Sequence, residues 1–126
     1  GMTGGQMAPT TLIGQVTTTS PYGRDPKVAG YPLHVSEMLA TTMGAAYIER
    51  VSVHDVPNIK KAGKAIEKAF RNQIEGKGFS MIEVLSTCPT NWGMAPVDAL
   101  GWLKDNMIPQ YPLGVYRDKE EEAKAQ

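Results

Sequence analysis

Residues 2–11 read MTGGQMAPTT: two adjacent glycines, several hydroxyl and amide side chains, and no charge. Gly4 and Gly5 let the backbone approach a ligand closely or take positive φ angles. Successive N–H groups in such a turn make a concave site for an anion such as a phosphate. Glycine pairs also make plain turns, and the segment alone leaves both readings open. Cys88, in Thr87-Cys88-Pro89 at the carboxyl end of an apolar run, is the only cysteine. With no cationic partner or helix start in the pattern, it reads as a packed thiol rather than a nucleophile. His34 and His54 lack acidic companions at ligand spacing and read as loop or helix-terminus residues. Glu83 is a carboxylate inside an apolar strand and needs a partner there; an ion-paired structural role and a site role stand side by side. Trp92 with Met94 reads as core, with a cofactor wall or a subunit interface as the alternative.

The elements that must position these residues follow from periodicity. Residues 1–31 are irregular, rich in Gly, Thr and Met and broken by Pro21 and Gly23. A long irregular stretch in a compact domain is usually functional or disordered, and this one carries no run of like charge, which favours a functional loop. Val35, Met38, Leu39 and Thr42 fall on one helical stripe, with Gly44 placed as a carboxyl cap. Residues 46–53, AYIERVSV, have strand composition. Asp55 caps a second helix with Pro57 in its first turn. Ile59, Ala62, Gly63, Ile66, Phe70 and Ile74 form its apolar stripe, Lys60, Lys61, Lys64 and Lys68 occupy other positions, and Gly76-Lys77-Gly78 ends it. That lysine-rich helix reads as solvated, and secondarily as a docking face for an acidic partner. Residues 79–85 form an apolar strand, as expected of a parallel strand covered on both faces. Residues 86–95 read as a loop. Pro96 opens a third helix that would bury Val97, Leu100, Leu103 and Met107. A short strand at 113–116 precedes a charged tail, 117–126.

Alternation of helix and strand predicts the α/β class, with a small, mostly parallel sheet and helices on its faces. The 126 residues fit a single domain with one modest core. A three-stranded sheet leaves two edges that can pair further, so a homo-oligomer is an expectation. Thirteen basic residues balance thirteen acidic ones, which disfavours nucleic acid and anionic membrane as partners. No apolar run approaches the ~18 residues of a membrane span. A lone cysteine excludes an internal disulfide and a Cys-rich iron–sulfur or zinc site of the chain's own, and suits a reducing cytoplasm.

Taken together, MTGGQMAPTT, TTTSPYGRD, GYPLHVSEMLA, AYIERVSVHD, GKGFSMIEVLSTCPTNWGM and MIPQYPLGVYRD resemble, in order, the blocks of one family. It is the thiamine-diphosphate-binding beta subunit of 2-oxoacid:ferredoxin oxidoreductases, of the 2-oxoglutarate or branched-chain 2-oxoacid type, in its carboxyl-terminal half. The resemblance implies a partial thiamine-diphosphate-binding fold and a role in oxidative decarboxylation of a 2-oxo acid to acyl-CoA. It places Gly1, Met2 and Thr3 near the diphosphate and Mg²⁺, and Gly4, Gly5 and Gln6 toward the cofactor or substrates. No catalytic residue and no metal ligand is assigned. Iron–sulfur clusters and coenzyme A are expected only in the full assembly, whose other subunits and ferredoxin are the implied partners. The family's metal-binding Gly-Asp-Gly does not occur in this sequence, so weak cofactor binding by this chain alone is expected. An inactive fragment acting as a self-associating module, and a small flavodoxin-like phosphate-binding domain, are the alternatives.

Overall fold

The computed structural model describes residues 7–124, and Gly1, Met2, Thr3, Gly4, Gly5 and Gln6 lie outside that range. In chain order the elements are α1 (Pro26–Ala29), α2 (Val35–Ala40), β1 (Ala45–Ser52), α3 (Val56–Ile74), β2 (Phe79–Leu85) and α4 (Pro89–Trp92). They continue with α5 (Pro96–Trp102), a π-helical turn (Leu103–Met107), α6 (Ile108–Gln110), β3 (Gly114–Asp118) and α7 (Lys119–Lys124). The described residues fall into two compact units, one of 7–34 with 86–110, the other of 35–85 with 111–124.

The second unit is the α/β layer that the alternation predicts. Its sheet runs β2-β1-β3, with β1 parallel to β2 and antiparallel to β3. β1 is the central strand and is buried along its length except for Glu49. α3 makes the crossover between the parallel strands and begins as its sequence dictates. The Asp55 carboxylate accepts the Asn58 N–H at 2.8 Å, and proline stands in the first turn. The helix ends at Ile74, and Gly76 follows at a φ of 66°, a left-handed turn that favours glycine.

The apolar stripe of α3 is only partly covered, and one burial expectation fails. In α3 the buried residues are Ala62, Ala65 and Asn72, whereas Ile59, Ile66, Phe70 and Ile74 are 50%, 41%, 67% and 85% exposed. The helix lies on the sheet by its alanine side, where small side chains allow close approach; Val51, Ala62, Ala65 and Ile82 form that contact. In β2, expected to be covered on both faces, only Leu85 is buried, because the strand is an edge. Periodicity reports which side of a helix is apolar, not whether anything in the same chain covers it. The first helix also differs. α2 stops at Ala40, short of Gly44, and its fully buried residue is Ser36, with Met38 exposed. Thr41 and Thr42 donate their hydroxyls to the carbonyls of Met38 and Leu39, both at 2.7 Å, and so close the last turn.

In the first unit, residues 7–34 are mostly irregular, as read. They gain one short helix, α1, whose Asp25 carboxylate accepts the Lys27 N–H at 2.8 Å. Residues 86–95 are not wholly loop: Pro89–Trp92 forms α4, with Cys88 at its amino cap position. The helix opened by Pro96 buries Ala99, Leu103 and Met107 but leaves Val97 and Leu100 exposed. The π-helical turn widens the backbone after Trp102 and moves the later residues off the α-helical stripe.

Candidate functional site

The loop that follows the Gly-Gly segment is fixed by one side chain. Arg24 is 6% exposed, and its guanidinium donates to six backbone carbonyls. On one side these are Thr11 at 2.8 Å, Pro9 at 3.0 Å and Ala8 at 3.5 Å. On the other they are Gly30 at 2.9 Å, Tyr31 at 3.0 Å and Ala29 at 3.2 Å. A planar cation with five donors suits this task, since each of the two chain segments turns its carbonyls toward one point. Gly23, immediately before, has a φ of 86°, and a Cβ there would lie 2.9 Å from the Gly14 carbonyl oxygen. The turn therefore packs against Gly14 through backbone alone. Residues 17–20 close on themselves, with Thr17 and Ser20 exchanging backbone bonds at 3.2 and 3.1 Å. Thr18 ties the same turn to α4, its hydroxyl donating to Asn91 Oδ1 at 2.8 Å.

Beside this loop lies a groove of about 390 Å³ lined by residues 12–16 with Trp92, Met94, Trp102 and Asn106. The two indoles meet with centroids 5.0 Å apart and planes tilted by 55°. Gln15 Oε1 accepts the Leu12 N–H at 2.8 Å, and Asn106 Nδ2 donates to the Trp102 carbonyl at 3.1 Å. None of the lining side chains is ionisable, so the groove offers aromatic and apolar contact rather than proton transfer. Trp92 and Met94, read from sequence as core first and wall second, are half-buried and line it.

The other sequence candidates divide cleanly. Cys88 is a half-buried thiol whose sulfur accepts a hydrogen bond from Asn91 Nδ2 at 3.0 Å. His54 sits in the connection between β1 and α3; its Nδ1 meets the Ser52 hydroxyl and its Nε2 lies 3.2 Å from the Asp55 carboxylate. The fully buried Ser52 and the capping role of Asp55 make this a structural contact. Glu83 takes the ion-paired role: Arg50 Nε donates to it at 2.9 Å and the Ser36 hydroxyl at 2.5 Å.

Arg50 is the centre of the second unit's polar core and was not singled out in the sequence. It is wholly buried, bonds Glu37 at 2.5 Å and Tyr116 Oη at 2.6 Å, and lies over the rings of Tyr111 and Tyr116 at 5.1 and 4.8 Å. Burial pulls down its proton affinity, but the Glu37 and Glu83 carboxylates outweigh that and hold it above the ordinary arginine value. Burial, opposed by the Arg50 charge, raises the Tyr116 phenol. Tyr47 is raised further, by burial and then by its hydrogen bond to Glu49. One sequence signal points to this network: Glu83 is the lone charge of an otherwise apolar strand, and its cross-strand partner is Arg50.

Among the described residues, no three His, Cys, Asp or Glu side chains gather to hold a metal ion. Arg24, the buried cation of the loop, is occupied by carbonyls.

Comparison with known proteins decides the family. The chain is 50% identical over 122 residues to ketoisovalerate oxidoreductase subunit VorA of Methanothermobacter marburgensis, a match covering 97% of this chain. It is 49% identical over 122 residues to the same subunit of Methanothermobacter thermautotrophicus. The chain belongs to the 2-oxoacid:ferredoxin oxidoreductase subunits. A third member, 2-oxoglutarate synthase subunit KorB of Archaeoglobus fulgidus, is 40% identical over 106 residues, or 84% of this chain. The chain spans 26% of the length of VorA and 35% of that of KorB. No family model matches the chain, and no solved structure matches it. None of the helices among the described residues is long and apolar enough to cross a membrane.

Proposed function

We propose that this chain forms part of a thiamine-diphosphate-dependent 2-oxoacid:ferredoxin oxidoreductase, and that it supplies one wall of the cofactor site. The observation that carries the proposal is the 50% identity to a ketoisovalerate oxidoreductase subunit along nearly the whole chain. In this reading residues 1–6 face the cofactor: Gly1, Met2 and Thr3 toward the diphosphate and its Mg²⁺, Gly4, Gly5 and Gln6 toward the reacting end. Arg24 contributes by positioning, because it holds the carbonyls of Ala8, Pro9 and Thr11 and so anchors the loop that these six residues enter. Thiamine diphosphate, when bound, supplies a nucleophile and an electron sink for decarboxylation of a 2-oxo acid. The Mg²⁺ ligands, the iron–sulfur clusters, the coenzyme A site and the contact with ferredoxin belong to the rest of a cytoplasmic assembly.

Two measurements test this. Calorimetric titration of the isolated chain with thiamine diphosphate and Mg²⁺ is expected to show no tight binding; tight, Mg²⁺-dependent binding would mean that the site is complete here. The assembly that contains the chain is expected to reduce ferredoxin when given coenzyme A and a 2-oxo acid, ketoisovalerate or 2-oxoglutarate being the first to try. An assembly that is loaded with cofactor yet inert toward every 2-oxo acid offered would refute the proposal.

A further inference from the structure

We infer that Asn91 is a positioning residue for the cofactor site: through Thr18 it latches the loop of residues 8–31 onto α4, and so sets how that loop presents residues 1–6. The inference rests on the reading that residues 1–6 face thiamine diphosphate. The loop is a small body of its own, stitched by polar contacts. Arg24 gathers the carbonyls of Ala8, Pro9 and Thr11 with those of Ala29, Gly30 and Tyr31. The Gly14 N–H donates to the Arg24 carbonyl at 3.0 Å, and the Ser20 hydroxyl donates to the Gln15 carbonyl at 2.9 Å. A segment bonded in this way moves as one piece, so its attachments decide its position.

Apolar packing supplies little of that attachment. Ile13, Val16, Tyr22, Val28 and Tyr31 are all exposed. Residues 12–16 and the side chains of Trp92, Met94 and Trp102 line an open groove rather than a closed contact. Hydrogen bonds to Asn91 take its place. The Thr18 N–H donates to the Asn91 carbonyl at 3.0 Å and the Thr18 hydroxyl to Asn91 Oδ1 at 2.8 Å, so one residue of α4 accepts both donors across 73 positions of sequence.

A third contact orients the amide. Asn91 Nδ2 donates to Cys88 Sγ at 3.0 Å, which leaves the oxygen, an acceptor, toward Thr18. The base of the latch is firm as well. Pro89 opens α4, Gly93 ends it at a φ of 66°, and the Trp92 ring meets that of Trp102 in α5 at 5.0 Å. Thr18 itself is exposed, so water competes for its hydroxyl. One such hydrogen bond shifts an equilibrium by roughly three- to tenfold. Arg24 holds the loop together, whereas Asn91 holds the intact loop in place, and that difference defines the test.

Thiamine diphosphate is titrated calorimetrically, with Mg²⁺ in excess, into the cofactor-depleted assembly carrying the parent chain or a variant. Thr18→Val and Asn91→Ala are each expected to weaken binding by roughly three- to tenfold. The double variant should be no weaker than the weaker single one, since both delete the same bond. Thr18→Ser, which keeps the hydroxyl, should bind like the parent. Hydrogen exchange of the Gly14 amide, bonded to Arg24 within the loop, should be the same in all of them. Unchanged affinity in both single variants, losses that multiply in the double variant, or a serine variant as weak as the valine one would overturn the latch. So would faster Gly14 exchange, which would mean that the loop had come apart rather than moved. A parent assembly that binds no thiamine diphosphate would instead bring down the cofactor reading, and the latch with it.

Discussion

Arg50→Met should be among the most damaging single substitutions in the second unit, and its cost can be worked from the geometry. The guanidinium is fully buried, 2.9 Å from Glu83 and 2.5 Å from Glu37, whose side chains are 15% and 35% exposed. Methionine fills most of the volume, so the packing loss is small and the cost is electrostatic. Glu37 can turn toward water. Glu83 keeps only the Ser36 hydroxyl and is left as a buried charge without a counter-ion. Removing one partner of a buried pair typically costs about 3–5 kcal/mol, and the partial exposure of Glu37 places this case near the lower figure. Replacing both partners removes the stranded charge, so Arg50→Met with Glu83→Met should recover roughly 2 kcal/mol relative to Arg50→Met alone. Urea unfolding followed by far-ultraviolet circular dichroism, in a complete double-mutant cycle, measures both quantities. A single-variant loss below about 1 kcal/mol, or a double variant as weak as the sum of its parts, would refute the argument that the two charges support each other.

Three further outcomes are expected. Arg24→Ala removes six carbonyl contacts, of which the one to buried Thr11 cannot be replaced by water, and should cost about 2–3 kcal/mol; limited proteolysis within residues 7–34 should accelerate, while Arg71→Ala at an exposed site leaves it unchanged. Asp55→Ala deletes the α3 amino cap and should cost about 1 kcal/mol by thermal unfolding, with Asp55→Asn recovering most of it. The phenols of Tyr47 and Tyr116 are raised in the folded state, so the unfolded chain ionises first. Their contribution is complete below pH ~10 and is lost as the pH rises above it, with a limiting slope of about 1.4 kcal/mol per pH unit per group. Tyr47→Phe should flatten the alkaline limb of a stability profile, and an unchanged limb would show that burial of this phenol has no weight.

The local signals in the sequence were strong where chain chemistry alone sets the answer. Asp55, Pro57 and Gly76 bound α3 as their types require, and Phe79–Leu85 is a strand to the residue. What depends on surroundings was not legible. The exposure of the Ile59, Ile66 and Phe70 stripe is not legible, because a helical period has no record of what lies opposite. The antiparallel direction of β3 leaves no mark on a five-residue strand. At the site, the family was readable from consecutive motifs, but Arg24 was not, since a guanidinium bonded to carbonyls leaves no periodic or paired trace. Arg50 leaves its trace only through Glu83, a carboxylate in an apolar strand that needs a cationic partner.

The π-helical turn at Leu103–Met107 sets a phase. It places an extra residue in one turn of the helix that carries Trp102 on one side and Met107 on the other. Deleting an exposed residue there, Asp105 for example, would restore ordinary α-helical winding and rotate everything before it by about 100° relative to everything after. Trp92 and Trp102, both before the deletion, would turn together away from Asn106, and the groove would lose that residue from its lining. A single residue of length, rather than any side chain, thus keeps the two indoles in register with the buried Met107.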